Sequence, residues 1–80
     1  MINNLLNRIT LNTSTCNGKP VIRNMRFTVA QMLELIASGM TFDEILADYP
    51  YIEQEDISAC LLYASFITNN KGALFFNDYA

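Results

Sequence analysis

The side chains able to do chemistry are few, and their spacing keeps most of them apart. Cys16 and Cys60 are isolated thiols, and the chain has no His. Two lone thiols supply neither the ligands of a four-coordinate zinc site nor a Cys/His nucleophile pair. Both are expected reduced, because a chain that is 51% apolar builds an ordinary core without a disulfide. The carboxylates fall as immediate neighbours, Asp43 with Glu44 and Glu55 with Asp56. Residues one apart diverge on a helix, so these pairs read as helix caps and solvated surface rather than acid/base or metal sites. Ser14, Ser38, Ser58 and Ser65 have no base to activate them. Asn17-Gly18-Lys19 lacks the longer glycine-rich loop leading into a helix that phosphate binding requires. The expectation is a protein that is not an enzyme and holds no metal or cofactor.

What remains is electrostatic. Residues 1–31 carry Arg8, Lys19, Arg23 and Arg26 and no acid, whereas residues 32–80 carry Lys71 and all eight acidic groups. Despite the net charge of −3, a basic N-terminal patch can attract phosphate or an acidic protein surface. Lys19, Arg23 and Arg26 are therefore the candidate contacts to nucleic acid or to a protein partner. The plainer alternative is a chance scatter of solubilising charge.

The elements that position these groups follow from periodicity and capping. Residues 1–7 are Asn-rich without a clear period, a flexible lead or a short helical turn. Arg8–Asn12 alternates, with Ile9 and Leu11 on one side, as a short half-buried strand does. Residues 12–20 form a loop in which Asn17-Gly18 takes positive φ and Pro20 lacks a donor. Val21–Arg23 and Arg26–Thr28 read as short extended pieces around Asn24-Met25. Residues 8–27 thus make a β-rich basic arm.

Three helices follow, each with a start signal. Thr28-x-x-Gln31 has capping-box spacing, with Phe27 and Met32 as the staple; Val29, Met32, Leu33 and Ile36 recur at helical intervals, and Gly39 suits a left-handed C-terminal cap. This predicts a helix over 29–38. Thr41-x-x-Glu44 repeats the box for a helix of about seven residues that ends at Tyr49-Pro50, too short to stand without packing. The third helix runs from near Glu53 to about Thr68 and presents Ile57, Cys60, Leu61 and Ala64 to the core. Glu53 is a poor N-cap, but Glu55 and Asp56 suit the positive end of the helix dipole. Residues 28–68 are a trihelical unit, so 8–68 forms one domain that is mainly α, a homeodomain-like or winged-helix-like helix-turn-helix with a short N-terminal β arm.

A second apolar stripe on that helix, Ala59, Leu62, Tyr63 and Phe66, exceeds what one core face can use. Leu74, Phe75, Phe76 and Tyr79 add to it in the apolar tail 69–80. An 80-residue chain hides only about 60–65% of its extended surface. Either the tail folds back over the stripe, or a symmetry mate covers it, or it stays exposed. Leu62, Phe66, Phe75 and Phe76 are the candidate interface, and a homodimer is expected. No apolar run approaches the roughly 20 residues of a membrane span, and a cytoplasmic location is the simplest expectation.

A trihelical unit is used by DNA-binding proteins, although its third helix here starts Glu53-Gln54-Glu55-Asp56, which opposes phosphate. DNA, if bound, is expected to meet the arm. The ordered run Arg8-Ile-Thr, Cys16-Asn-Gly-Lys-Pro20, Ile22-Arg23, Arg26-Phe-Thr-Val29, Leu33–Gly39, Glu44-Ile-Leu46, Asp48-Tyr-Pro50 and Glu55-Asp-Ile57 with Ala64 resembles the bacterial domain-of-unknown-function family 433 (DUF433). Departures are Asn24-Met25 for the usual Gly-Thr, Asn17 for a glycine, Glu53 for a Thr cap and Ser58 for a common basic residue. The resemblance implies a small antitoxin-like domain, often encoded beside a PIN-like ribonuclease of family 5615, that neutralises this toxin and represses its own operon. The alternatives are a homodimeric DNA-binding regulator using the arm, and a structural or adaptor domain.

Overall fold

The computed structural model describes residues 2–69; Leu74, Phe75, Phe76 and Tyr79, expected in the apolar tail, lie outside them. The elements are α1 (Ile2–Leu6), β1 (Ile9–Thr10), β2 (Val21–Ile22), α2 (Val29–Ala37), α3 (Phe42–Asp48) and α4 (Gln54–Ile67). The fold is mainly α, three principal helices and a short N-terminal β hairpin in a helix-turn-helix-like arrangement. Residues 2–6 form a helix that packs along α4.

The hairpin is shorter than the alternation suggests. Ile9 pairs with Ile22 and Thr10 with Val21 in antiparallel register, and a single further bridge joins Val21 to Thr28. Leu11, expected on the buried side, is 68% exposed. The chain leaves the sheet at once, because Asn12 Oδ1 accepts from the Ser14 N–H at 2.9 Å and starts a turn. Cys16, Asn17 and Gly18 then follow one another with positive φ. Arg23 and Asn24 make a second left-handed pair, closed by the Met25 N–H donating to the Ile22 carbonyl at 2.8 Å, the φ pattern of a tight hairpin turn.

Both expected caps start their helices. Thr28 Oγ1 accepts from the Gln31 N–H at 2.9 Å, although Gln31 makes no return bond. At α3 the box is complete: Thr41 Oγ1 accepts from the Glu44 N–H at 3.1 Å, and Glu44 Oε1 accepts from the Thr41 N–H at 2.8 Å. A helix of seven residues has little intrinsic stability, and Ile45, fully buried, fixes it to the core.

The core gathers Ile22 and Phe27 from the arm, Val29 and Met32 from α2, Ile45 from α3, Ile52 from the bend, and Ile57 and Cys60 from α4. Phe27 meets Tyr49 edge-on at 5.0 Å and Tyr51 at 6.5 Å, which joins the arm to the Tyr49-Pro50-Tyr51 bend. On α4 the buried face differs from the expected stripe. Leu61 is 40% exposed, whereas Ala59, assigned to the second stripe, is fully buried. Because α1 lies along α4 as well as α2 and α3, the helix is covered over a wider arc than one core stripe provides.

α2 ends in a paired cap. The Gly39 N–H donates to the Ile36 carbonyl at 3.0 Å and the Met40 N–H to the Leu35 carbonyl at 3.3 Å, with Gly39 at φ +100°, the Schellman arrangement. A Cβ built on Gly39 meets nothing within 4 Å, so only the backbone conformation resists a side chain. Gly39→Val is expected to destabilise by more than about 1 kcal/mol, because a left-handed conformation penalises a β-carbon and a branched one most. Gly39→Asn should cost less, and thermal melting of the two variants measures the difference.

Candidate partner-binding site

Two features separate this chain from a plain helical unit: a buried ion-pair junction under the arm and an open apolar groove beside it. The junction begins with the start of α4. Glu53 is its N-cap, and the Asp56 carboxylate reaches back to accept the Glu53 N–H at 2.9 Å. This turns Asp56 inward, where its side chain has no exposure at all. A carboxylate buried without cationic partners is costly.

Two arginines from the arm supply those partners. Arg23 grips Asp56 bidentately with one edge of its guanidinium, Nε to Oδ1 at 3.1 Å and Nη2 to Oδ2 at 2.7 Å, and Nη2 also donates to the Tyr51 carbonyl at 2.9 Å. Arg8 places Nη1 at 2.9 Å from Asp56 Oδ1 and 2.6 Å from Glu53 Oε1. Burial works against ionisation of Asp56, but bonds from Arg23, the Glu53 N–H and Arg8 outweigh it and hold the carboxyl below its ordinary value. The hydrogen bond that Arg8 donates to Glu53, then the one it donates to Asp56, raises Arg8; the bond donated to Asp56 raises Arg23. Arg23 does this at φ +45°, a conformation costing a non-glycine residue about 1–2 kcal/mol. The forked contact to Asp56 holds it there. Four residues after Asp56, Cys60 is fully enclosed; burial and the nearby Asp56 charge push its thiol up to about 12, so it stays protonated as a small core residue.

The groove lies between α2 and α4 and encloses about 460 Å³. From α2 and its cap come Thr28, Val29, Ala30 and Leu33; from α4 come Tyr63, Ala64, Ile67 and Thr68. Lys19 and Pro20 of the arm close one end. Its walls are almost wholly apolar, and its size is that of pockets that take a small set of apolar side chains.

The predicted contact residues divide between these features. Lys19 is exposed and lies on the groove rim. Arg23 belongs to the junction, and Arg26 is exposed on the hairpin without a salt-bridge partner among the described residues. Leu62 is half-buried and Phe66 is 44% exposed; neither lines the groove. Phe75 and Phe76 lie outside the described residues. Thr28, Gly39 and Thr41 cap as expected. Among the described residues no three His, Cys, Asp or Glu side chains are grouped to hold a metal ion, and no helix is long and apolar enough to cross a membrane.

Sequence reasoning missed Arg8 and Asp56 as partners. The signal was present: Glu53-x-x-Asp56 has the spacing of a capping box built from two acids, and the arm holds arginines with no acid of its own. It also assigned Leu33 and Ala64 wholly to the core, whereas both face the groove as well.

A small helix-turn-helix-like domain whose β arm is ion-paired to its last helix, with an apolar groove alongside, is thus the class of protein defined by fold and site. The family model described as "Protein of unknown function (DUF433)" matches residues 9–64, and the chain belongs to that family. Among solved structures it is similar to the crystal structure, at 2.00 Å resolution, of a DUF433 member protein from Anabaena variabilis ATCC 29413. The two share 26% identity with a TM-score of 0.69 over 99% of this chain and 75% of that one. None of the curated proteins matches.

The Asp56 junction sets the acid response. Unfolded, Asp56 takes up a proton near its ordinary pKa of about 3.9; folded, it does so only at lower pH. The stability it contributes is therefore full above the unfolded value and is lost as pH falls through the folded one. Chemical denaturation at stepped pH should show the parent weakening as pH falls below about 4, and Asp56→Asn, weaker at neutral pH, losing less on acidification. Arg23→Ala should cost about 2–3 kcal/mol at pH 7, below the ~3–5 of a fully buried pair because Arg8 remains and Arg23 is partly in solvent.

Proposed function

We propose that this protein is an antitoxin-like binding domain whose α2–α4 groove seats an apolar segment of a protein partner. The observation that carries this reading is the groove itself, open, almost wholly apolar and walled by two helices fixed to the core. Apolar anchors seated in such a cleft supply most of the affinity of an interface, and a charged rim orients the approach. Lys19 is that rim charge. The DUF433 resemblance suggests the partner class, a PIN-like ribonuclease that the domain would neutralise, with repression of its own operon as a second role.

A PIN-like ribonuclease gene beside this one, whose product the full chain captures and inhibits, would support the reading. Ala30→Arg places a charge at an exposed position of the groove wall, and it should weaken capture at least tenfold, about 1.4 kcal/mol, without lowering the melting temperature. A nuclease bound equally well by Ala30→Arg would overturn the groove as the site.

The second reading, a homodimeric DNA-binding regulator, is favoured by the exposure of Lys19 and Arg26 on the arm. Arg23 contributes little to it, since its guanidinium is occupied by Asp56 and Tyr51. On that reading, Lys19→Gln with Arg26→Gln should reduce the salt slope of binding to upstream DNA by about two contacts per subunit, near 0.9 per contact. Substitutions at Gln54 and Ser58 should leave the slope almost unchanged. A large loss from Gln54 and Ser58 alone would move the DNA contact to α4.

A further inference from the structure

Three properties of the α2–α4 groove narrow what it can hold. It is short, because its walls run only from Thr28 to Leu33 on α2 and from Tyr63 to Thr68 on α4, about 7.5 Å along each helix at 1.5 Å per residue. One end is closed by Lys19 and Pro20, whose main chain is fixed on both sides. The Lys19 N–H donates to the Cys16 carbonyl at 3.2 Å, and the Pro20 carbonyl accepts from the Val29 N–H at 3.0 Å. The third property is charge: Lys19 is the one ionic side chain among the lining residues, and no acid stands with it. It makes no salt bridge among the described residues. Both threonine hydroxyls of the wall are engaged with helix main chain, Thr28 Oγ1 accepting from the Gln31 N–H and Thr68 Oγ1 donating to the Ala64 carbonyl.

An extended chain advances roughly 3.3 Å per residue, so walls of this length cover two or three residues. A segment running straight through would meet the arm; a segment that ends there would not. A chain that ends carries a carboxylate, and the closed end of the groove holds the cation that matches it. We propose that the groove takes the C-terminus of a protein partner, with its last two or three apolar residues between α2 and α4 and its α-carboxylate at Lys19 Nζ. This rests on the reading of the groove as a partner's site and adds which part of the partner enters. Chain ends are a recurring element of peptide recognition.

The two contributions are separable. Burial of the apolar side chains supplies the affinity, about fourfold for each methylene removed from water. The carboxylate supplies the selectivity, and because Lys19 is exposed its pair is worth no more than about fivefold, less as salt is raised.

The test titrates the full chain with the tripeptide acetyl-Leu-Val-Leu, once as the free acid and once as its C-terminal amide, following the Val29 and Leu33 methyl resonances. Both peptides are expected to saturate, with the acid about fivefold tighter at low salt. Lys19→Gln should remove this preference by weakening the acid alone, Lys19→Arg should keep it, and Ala30→Arg should weaken both peptides. Equal affinity of acid and amide, a preference that survives Lys19→Gln, or no saturable binding of either peptide overturns the proposal. A nuclease that Ala30→Arg weakens, but that binds undiminished without its last three residues, keeps the partner reading and removes the terminus. A preference for the free acid beside a nuclease indifferent to Ala30→Arg removes that nuclease as the partner and leaves the groove a site for the terminus of another protein.

Discussion

A carboxylate with no access to solvent, Asp56, is the point on which the parts of this domain converge. It caps its own helix by accepting the Glu53 N–H, and it receives Arg8 from just before β1 and Arg23 from just after β2. The β hairpin has only two paired residues per strand, far below what an isolated hairpin needs to persist in water. Its place is therefore set by the two arginines together with Ile22 and Phe27 in the core. The left-handed conformation of Arg23 is part of the same device. A conformation unfavourable for arginine is held because it brings the guanidinium fork square onto the carboxylate, while Nη2 also donates to the Tyr51 carbonyl.

The groove follows from how α4 is covered. Its first half is enclosed, with Asp56, Ile57, Ala59 and Cys60 buried, while Phe66 and Ile67 in its last turn are each more than two-fifths exposed. α2 divides by face instead: Met32 is fully buried, while Val29 and Leu33 are shared between core and cleft. The same two helices thus hold the core and leave an apolar opening beside it. Ala30 is exposed on the wall of this opening, so a charge placed there changes the cleft without entering the core.

The helical part was legible because local signals and tertiary demands agreed. Thr28, Gly39 and Thr41 sit where capping chemistry puts them, and the Tyr49-Pro50 stop falls one residue after α3. The resemblance to DUF433 was legible from the ordered run of residues 8–64. What escaped was non-local. Glu53, a poor cap by type, serves because Asp56 completes the turn from inside; the three acids that seemed to forbid phosphate at α4 include two that face arginines of the arm. The charge division along the sequence reads as two separate surfaces, but folding brings opposite signs together. Leu11 and Leu61 were placed inward by periodicity, which carries no information on where a strand stops pairing or which helix lies alongside. The groove escaped for the same reason, since core and cleft residues share one period.

The two cysteines acquire distinct physical meanings from their places. Cys16 lies half-buried in the left-handed turn before Lys19, while Cys60 is sealed beneath the Asp56 junction with its thiol pushed up to about 12. Only a thiolate reacts readily with electrophiles, so in the closed domain Cys60 is silent both by enclosure and by protonation. Any modification at Cys60 requires α4 to part from its neighbours first. The rate of its labelling is then a clock for opening of the core, built into the chain without an added probe.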